Sequence, residues 1–312
     1  MNLKSTLKQG LKFLGVTENH RLVQQIRKKL EDPLIKKIRN DPLNPLLHME
    51  KAERAAAKGN HYLAFAEFKT ACHLGLDIEQ PEQLEERYRL ALPEKSTLNH
   101  NLYFRLKSLA DEIQRRSNGS RCSVLDVGGG SGALASFIPE HSYCLVEPTV
   151  NGISGTDLPF ADRSFDLVVS CHVLEHIHPD ERKLFLNQLL SRAKTGLILL
   201  NPFEVPGTLP NERLRLVIDV TDAPWAKEHL DCSLPKIDDL KAYALERELK
   251  MDIRPNGTMT TSLAYVFLMH FAEMSSSKEA VSKINTFFNE NYFEILDSPS
   301  FPNAYLVFIG AS

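Results

Sequence analysis

The stretch VLDVGGGSGALA, residues 124–135, decides the fold of this chain. Its first residues are mostly apolar and β-branched, which is typical of a short buried strand. A glycine-rich turn follows, and the apolar residues after the turn can continue as a helix. Because glycine has no Cβ, the turn allows unusual backbone angles and lets a ligand lie directly on the main chain. Strand, glycine turn and helix in this order are typical of a nucleotide-binding βαβ unit, whose free N–H groups at the helix start hold an anionic group.

The composition is that of an ordinary folded chain, since 43% of the 312 residues are hydrophobic and 25% are charged. A net charge of −3 gives no overall nucleic-acid signature, although residues 1–60 hold thirteen Lys and Arg against six Asp and Glu. The five cysteines lie far apart without a C-x-x-C pair, which indicates a reducing compartment rather than a disulfide framework or a zinc site. With no apolar run of membrane-spanning length, the sequence predicts a cytoplasmic protein.

Residues 1–40 are basic and amphipathic, with a helical stripe formed by Leu3, Leu7, Leu11 and Leu14. Lysines run along the flank of this stripe. One interpretation is a helix lying on an anionic membrane surface, which would make the protein membrane-peripheral. The other, which we favour, is a helix packed on its own domain, because charged outer faces are routine on surface helices.

Residues 44–78 predict a hairpin of two short helices joined at Gly59-Asn60. The hairpin resembles a tetratricopeptide repeat, and these residues fall at the preferred spacings of that family: Ala52, Gly59, Ala64, Phe68 and Ala71. His48 stands where tryptophan is usual. Such solenoids need about three repeats for stability, and only one clear unit is present. We therefore predict a helical cap within an N-terminal region spanning 1–95, with a protein partner bound through it as a secondary expectation.

Beyond the glycine turn the chain alternates strands and helices. YCLVEPT is a second strand that ends at Glu147, fifteen residues past Gly132. A carboxylate at this point can accept two hydrogen bonds from a ribose diol. FDLVVS and GLILLNP are apolar strands separated by the helical stretch DERKLFLNQLLSRA. The alternation predicts a parallel sheet covered on both faces.

Together these motifs resemble the class I S-adenosylmethionine-dependent methyltransferases, and most of all their small-molecule branch. VLDVGGGSG is similar to the D-x-G-x-G-x-G loop of that family, with these residues in register: Asp126, Gly128, Gly130 and Gly132. GTDLPF and FDLVVSCHVLEHI match two further motifs. The resemblance implies a Rossmann-like α/β fold at 96–312, with a mostly parallel seven-stranded sheet, an antiparallel last strand and S-adenosylmethionine as cofactor.

The same resemblance assigns the cofactor contacts. The loop backbone would take the methionine end of the cofactor, Glu147 the ribose hydroxyls, and Asp157 the adenine amino group. Leu158 would pack on the base, and His172 would line the cofactor. Only ten positions separate Glu147 from Asp157, which is too few for the usual helix and third strand.

A rival interpretation is dinucleotide binding. Gly128, Gly130 and Ala133 fit the G-x-G-x-x-G/A fingerprint. Glu147 also lies about where an NAD enzyme has its acidic residue. Asp126 before the loop, together with the DLPF, FDLVVS and LEH motifs, favours the methyltransferase interpretation.

The segment after GLILLNP forms the predicted substrate side. It contains the only tryptophan, Trp225, and predicts a strand in KMDIRPN, a helical insertion at about 257–290 and a closing strand in NAYLVFIGA. Its short motifs loosely resemble methyltransferase domains found beside glycosyltransferases in bacterial surface-polysaccharide clusters. The predicted function is transfer of a methyl group from S-adenosylmethionine to an oxygen of a small molecule or a saccharide.

A hydroxyl acceptor would need a base to remove its proton. His229 is the first candidate because it follows the GLILLNP strand on the substrate side, and His172 is the second, at the tip of the FDLVVS strand. Asp162 and Glu228 are weaker candidates for substrate contact. Glu175-His176 and His178 could suggest a metal site, but the LEH segment usually opens a helix in this family, so we predict no metal ligand.

Two alternatives from other classes stay open. One is a cofactor-binding but catalytically silent scaffold whose helical region recruits a protein. The other is an RNA or protein methyltransferase. The net negative charge of the methyltransferase half argues against a large RNA-binding surface there. The basic N-terminus would have to supply such a surface.

Overall fold

A computed structural model describes residues 32–205, 207–274, 277–291 and 301–310, and within these ranges the chain builds a six-stranded sheet. The strands are β1 (Ser123–Val127), β2 (Ser142–Val146), β3 (Phe165–Cys171), β4 (Ala193–Asn201), β5 (Lys250–Thr258) and β6 (Pro302–Gly310). Their order across the sheet is β2-β1-β3-β4-β6-β5. The inner strands are apolar and buried, as strands covered on both faces require.

Strands β2, β1, β3 and β4 run parallel, and β6 runs antiparallel between β4 and β5. This arrangement confirms the predicted Rossmann-like α/β fold and its antiparallel last strand. Within the described residues the sheet has six strands, one fewer than the predicted seven. The segment from Glu147 to Phe165 is too short for another helix and strand, and it pairs through a β-bridge between Ser154 and Asp157.

The described ranges hold these α-helices: α1 (Pro33–Asn40), α2 (Pro45–Ala57), α3 (His61–His73), α4 (Pro81–Leu90), α5 (His100–Arg116), α6 (Leu134–Phe137), α7 (Pro179–Arg192), α8 (Pro210–Thr221), α9 (Pro224–Cys232), α10 (Ile237–Glu246), α11 (Met259–Met274) and α12 (Lys278–Asn291). One face of the sheet packs on α2 to α6, and the other packs on α1, α7 and α10. A smaller apolar cluster joins α8, α9 and α11.

Helix α3 is buried around its circumference rather than along one face. Residues 64–71 are all buried, and they include the charged Glu67. The hydroxyl of Thr70 accepts the N–H of Leu145 in β2 at 2.9 Å. Helix α3 is therefore part of the layer that covers β2. The tetratricopeptide-like character of the α2–α3 hairpin stays a prediction.

The helix after the glycine turn, α6, is a single turn, and α3 fills the space beside it. Pro139 follows α6 closely, and a helix usually ends at or before the residue that precedes a proline. A Cβ on Gly132 would lie 2.2 Å from the Cβ of Ala66 in α3. The N-terminal hairpin thus packs directly on the glycine turn.

Among the helices that the structure describes, none is long and apolar enough to cross a membrane. The basic stripe predicted within residues 1–40 lies mostly outside the described residues, which begin at Asp32. Its described part, α1, buries Leu34 and Ile38 in the core beside β1 and β2.

Candidate active site

The glycine turn after β1 offers open main chain to a ligand. Gly128 and Gly130 have φ angles of +79° and +57°, in the left-handed region that side chains rarely adopt. A Cβ on Gly128 would lie 2.2 Å from Cγ2 of Val173, so the turn contacts the segment after β3. Around Gly130 no atom lies within 4 Å of where a Cβ would stand.

Glu147, at the end of β2, faces the same turn. Its Oε2 accepts the N–H of Gly130 at 3.2 Å, and its Oε1 accepts the N–H and the hydroxyl of Thr149 at 3.0 and 2.7 Å. The Oδ1 of Asn151 accepts the N–H of Glu147 at 3.0 Å, while its Nδ2 donates to Glu67 of α3 at 3.2 Å. The N-terminal hairpin therefore helps to hold the predicted ribose-binding carboxylate.

Asp126 lies beneath the turn, at 1% exposure, rather than on its surface. Its Oδ2 accepts the hydroxyl of Tyr143 at 2.6 Å, and its Oδ1 has no hydrogen-bond partner among the described residues. Burial raises the pKa of Asp126 to about 7, although the Tyr143 hydrogen bond opposes this rise. The structure thus places this side chain where it supports the turn from below.

We expect the stability of Asp126→Asn, relative to wild type, to improve with rising pH. The carboxyl has a pKa of about 7 in the folded state against 3.8 for an ordinary aspartate, so folding favours its protonated form. The stability that the protonated Asp126 carboxyl gives to wild type is therefore lost as the pH rises from 3.8 through about 7. Asparagine has no charge to bury, so urea unfolding should favour the variant by about 2 kcal/mol more at pH 8 than at pH 5. An equal difference at the two pH values would contradict this prediction.

Asp157 and Leu158 lie on the loop between β2 and β3. Asp157 is exposed, so its carboxylate is accessible to a ligand. Leu158 is 4% exposed and belongs to the core on the α7 side of the sheet. Its carbonyl accepts from Arg192 at 3.1 Å, which ties the loop to the end of α7.

The tip of β3 carries a buried pair of histidine and glutamate. His172 has a φ angle of +55°, a strained conformation that clusters at functional sites. Its Nδ1 lies 3.1 Å from Oε1 of Glu175, whereas its Nε2 has no hydrogen-bond partner in the described structure. Glu175 is fully buried, and Asn201 at the end of β4 donates to its Oε2 at 2.6 Å. The Nε2 of His172 is therefore available to a bound molecule.

Helix α9 places His229 next to Glu175 and next to a further histidine, His176. The Nε2 of His229 lies 3.2 Å from Nε2 of His176 and 3.9 Å from Oε1 of Glu175. On the other side of its ring, His176 places Nδ1 3.0 Å from Oε2 of Glu228. Trp225 packs edge-on against His229, with ring centroids 5.3 Å apart. We refer to Glu175, His176 and His229 as the His–Glu cluster.

Burial governs the charge around this cluster. It lowers the pKa of His229 to about 4, and it also lowers the pKa of His172. Burial alone would raise the pKa of Glu175, but the adjacent His172 and His229 more than reverse this and lower it to about 2. The Glu175 carboxylate is therefore a buried negative charge held against these histidines. A buried charge of this kind is costly unless a cation compensates it.

A cavity of about 610 Å³ opens beside these groups. Its walls come from the β3 tip, the start of α5, and helices α8, α9 and α11, with polar lining residues that include Asn101, Arg105, Arg213 and Asn256. Of the residues predicted to contact the cofactor, all of which the structure describes, His172 alone lines this cavity. The cavity therefore adjoins the predicted cofactor site at His172.

Other predicted residues have different surroundings. Asp162 is exposed and pairs with Arg192 at 2.5 Å. His178 caps α7, where its Nδ1 accepts the N–H of Asp180 at 3.4 Å. The LEH segment forms a single 3-10 turn before that helix, at Leu174–His176. Neither Asp162 nor His178 is among the residues that line the cavity.

Sequence reasoning missed the residues that hold the site in place. Asn151 bonds to Glu147, and Glu67 bonds to Asn151. Both are isolated polar residues, one in a helix and one in a loop, and no sequence pattern marks such residues as part of a site. Asn201 ends the apolar strand GLILLNP and is fully buried. An amide at the end of an apolar strand is a weak indication of a structural role, because buried polar groups need partners.

The comparisons with known proteins agree with this geometry. Residues 98–251 match the family model of a methyltransferase domain. An uncharacterized methyltransferase of Mycobacterium sp. strain KMS is 38% identical over 96 residues, covering 25% of this chain and 38% of that protein. Another, from Mycolicibacterium gilvum strain PYR-GCK, is 34% identical over 92 residues, covering 22% of this chain and 36% of that protein. The chain therefore matches less than two fifths of the length of these curated relatives.

Among solved structures, an S-adenosylmethionine-dependent methyltransferase from Archaeoglobus fulgidus has a TM-score of 0.40 and 16% identity. The similarity covers 74% of this chain and 100% of that one.

The strand order and the glycine turn define a class I methyltransferase domain, whose cofactor is S-adenosylmethionine. The match over residues 98–251 identifies this part of the chain as a methyltransferase domain.

The described residues fit this cofactor. No atom occupies the space beside Gly130 where a Cβ would stand, so a ligand can approach the turn there. The Glu147 carboxylate stands beside that opening, and its exposed contacts with Thr149 can be exchanged for ribose hydroxyls. His172, which lines the adjoining cavity, directly precedes Val173, the residue that contacts the turn at Gly128.

Proposed function

We propose that this chain transfers the methyl group of S-adenosylmethionine to a hydroxyl oxygen of a small polar molecule or a saccharide. The observation that carries the proposal is the cavity at His172, beside the glycine turn. Amide and hydroxyl side chains line it: Asn99, Asn101, Asn256, Thr258 and Ser262. Trp225, which is 39% exposed, adds an aromatic ring. Apolar side chains line the rest of the cavity, so a small molecule that offers both hydroxyl groups and apolar faces, as a sugar ring does, fits it better than a macromolecule.

In this proposal the main chain around Gly130 takes the methionine end of the cofactor. Glu147 accepts from the ribose hydroxyls, and Asp157 and Leu158 take the adenine. When bound, S-adenosylmethionine supplies an electrophilic methyl group on a sulfonium and becomes the neutral thioether once the methyl group is on the acceptor oxygen. The protein mainly has to align that oxygen with the methyl–sulfur bond.

His172 is the proposed acceptor of the hydroxyl proton. Its Nε2 is buried, has no hydrogen-bond partner among the described residues and belongs to a cavity-lining side chain. Glu175 beside Nδ1 would stabilise the imidazolium that forms. His229, the first candidate from the sequence, has its Nε2 turned toward His176, so we propose a different role for it below.

Calorimetric titration with S-adenosylhomocysteine tests the cofactor assignment. We expect wild type to bind it at about micromolar affinity, and Glu147→Ala to bind about 10- to 100-fold more weakly, because each ribose hydrogen bond to a carboxylate contributes about 1–1.5 kcal/mol. Glu82→Ala, which removes an exposed carboxylate from α4, is the matched control and should keep wild-type affinity. No binding by folded wild type would overturn the assignment.

The same wild-type protein then identifies the acceptor class. Cofactor labelled in the methyl group is incubated with a cell extract that is separated into small molecules, saccharides, RNA and protein. We expect the label in the small-molecule or saccharide fraction. Label confined to RNA or protein would contradict the proposal, and cofactor binding without any transfer would favour the silent scaffold instead.

A further inference from the structure

We propose that the His–Glu cluster binds a divalent transition-metal ion of the Zn²⁺ type, with Glu175, His176 and His229 as its protein ligands. One ligand atom from each residue lies within 4.8 Å of the others. The two Nε2 atoms are 3.2 Å apart. Two imidazole nitrogens that share one tetrahedral zinc ion are separated by about 3.3 Å, given zinc–nitrogen distances of about 2.0–2.1 Å. The rings are therefore already spaced for a shared ion.

The hydrogen bonds of His176 direct a lone pair into the cluster. The Glu228 carboxylate can only accept, so Nδ1 of His176 carries the proton of that 3.0 Å contact. In the neutral ring Nε2 is then the lone-pair atom, and it is the atom that faces His229. A carboxylate behind a metal-binding histidine is the usual means of orienting such a ligand.

Glu175 completes the donor set with a carboxylate. It is fully buried, and Asn201 holds its Oε2 at 2.6 Å. Its Oε1 lies 3.1 Å from Nδ1 of His172 and 3.9 Å from Nε2 of His229. A divalent ion held between this carboxylate and the rings of His176 and His229 would compensate the buried negative charge.

The donor set indicates the class of ion. Two imidazoles and one carboxylate suit zinc and neighbouring first-row metals, whereas calcium and magnesium prefer oxygen ligands. Three protein ligands leave a fourth position open, as catalytic zinc sites do. His176 and His229 both line the cavity, so a molecule bound there can reach that position. An acceptor hydroxyl at the ion would lose its proton more readily, and this role alone rests on the proposed function.

The sequence did not predict this site. Its metal candidates were Glu175-His176 and His178, but His178 caps α7. The third ligand, His229, comes 53 positions after His176 and joins it only through the packing of α9.

Metal titration of the untagged full chain, stripped with a chelator and measured without cofactor, tests the proposal. We expect stoichiometric Zn²⁺ binding by calorimetry and the visible absorption of a tetrahedral complex with Co²⁺. His176→Ala and Glu175→Gln should each bind Zn²⁺ at least about 100-fold more weakly, and Glu228→Gln about 10-fold, the loss typical of an orienting partner. His176 and Glu228 are partly exposed, so these two variants are expected to fold.

His178→Ser is the matched control, because serine keeps a helix cap at this exposed position and the change removes an adjacent histidine. It should bind Zn²⁺ as wild type does. Absence of stoichiometric binding by wild type, or an equal loss in His178→Ser and His176→Ala, would overturn the proposal. Binding of S-adenosylhomocysteine in the presence of chelator tests the cofactor site alone, so the two proposals can fail separately.

Discussion

Replacement of Phe68 by alanine is expected to lower the free energy of unfolding by about 4 kcal/mol, the usual cost of deleting a buried aromatic ring. Phe68 is fully buried and stacks on Tyr88, with ring centroids 5.0 Å apart. It lies in the core that α3 shares with β1 and β2. Because α3 is enclosed on all sides, the helix cannot tilt to fill the space that the ring leaves.

The single tryptophan shows whether this loss extends beyond the N-terminal helices. Trp225 lies in α9, next to a different apolar cluster. If α3 is part of the methyltransferase core, the Trp225 fluorescence and the helical circular dichroism of Phe68→Ala should both report unfolding at lower urea concentrations than those of wild type. Leu46→Ala, at a 67% exposed position on the same hairpin, should change neither transition. An unchanged Trp225 transition beside an early loss of helix would instead define 1–95 as a separate unit.

Gly132→Ala has the second largest expected effect, a loss of about 3 kcal/mol of stability. Its φ angle of +71° costs a residue with a Cβ about 1–2 kcal/mol. The new Cβ would also stand 2.2 Å from the Cβ of Ala66, and overpacking of this kind costs about 1–3 kcal/mol. Neither group is the end of a flexible side chain, so α3 or the turn must move. Urea unfolding measures the loss.

Two further variants separate these causes. Gly130→Ala has a similar φ angle but no neighbour within 4 Å, so it should cost only about 1–2 kcal/mol while it obstructs S-adenosylhomocysteine binding. Combining Ala66→Gly with Gly132→Ala removes the clash, and the pair should show a favourable coupling of about 1 kcal/mol or more. Strictly additive effects would mean that the hairpin does not press on the turn.

The parts of the fold that local sequence encodes were predicted well. The apolar run before the glycines, the apolar strand ending at Cys171 and the closing strand are all present, because strand character depends on neighbouring residues. The family resemblance predicts seven strands, whereas the described residues form six. The short interval after Glu147 explains the difference, because it accommodates only the bridge between Ser154 and Asp157.

The parts that depend on contacts between distant residues could not be predicted in the same way. The hairpin was expected to be a cap, but its Thr70 and Glu67 bond to β2 and to the loop that holds Glu147. Likewise His172 and His229 were proposed separately as bases, whereas the fold places both against Glu175. No periodicity or spacing in the sequence shows which helix α9 will pack against.

Strand β6 has a consequence for synthesis of the chain on the ribosome. It pairs with both β4 and β5, yet residues 302–310 are translated after all the other described strands. Until they emerge, β4 presents an unpaired apolar edge and β5 has no place in the sheet. Such an edge invites pairing with other nascent chains. A ribosome that stalls before residue 302 is therefore expected to leave an aggregation-prone product.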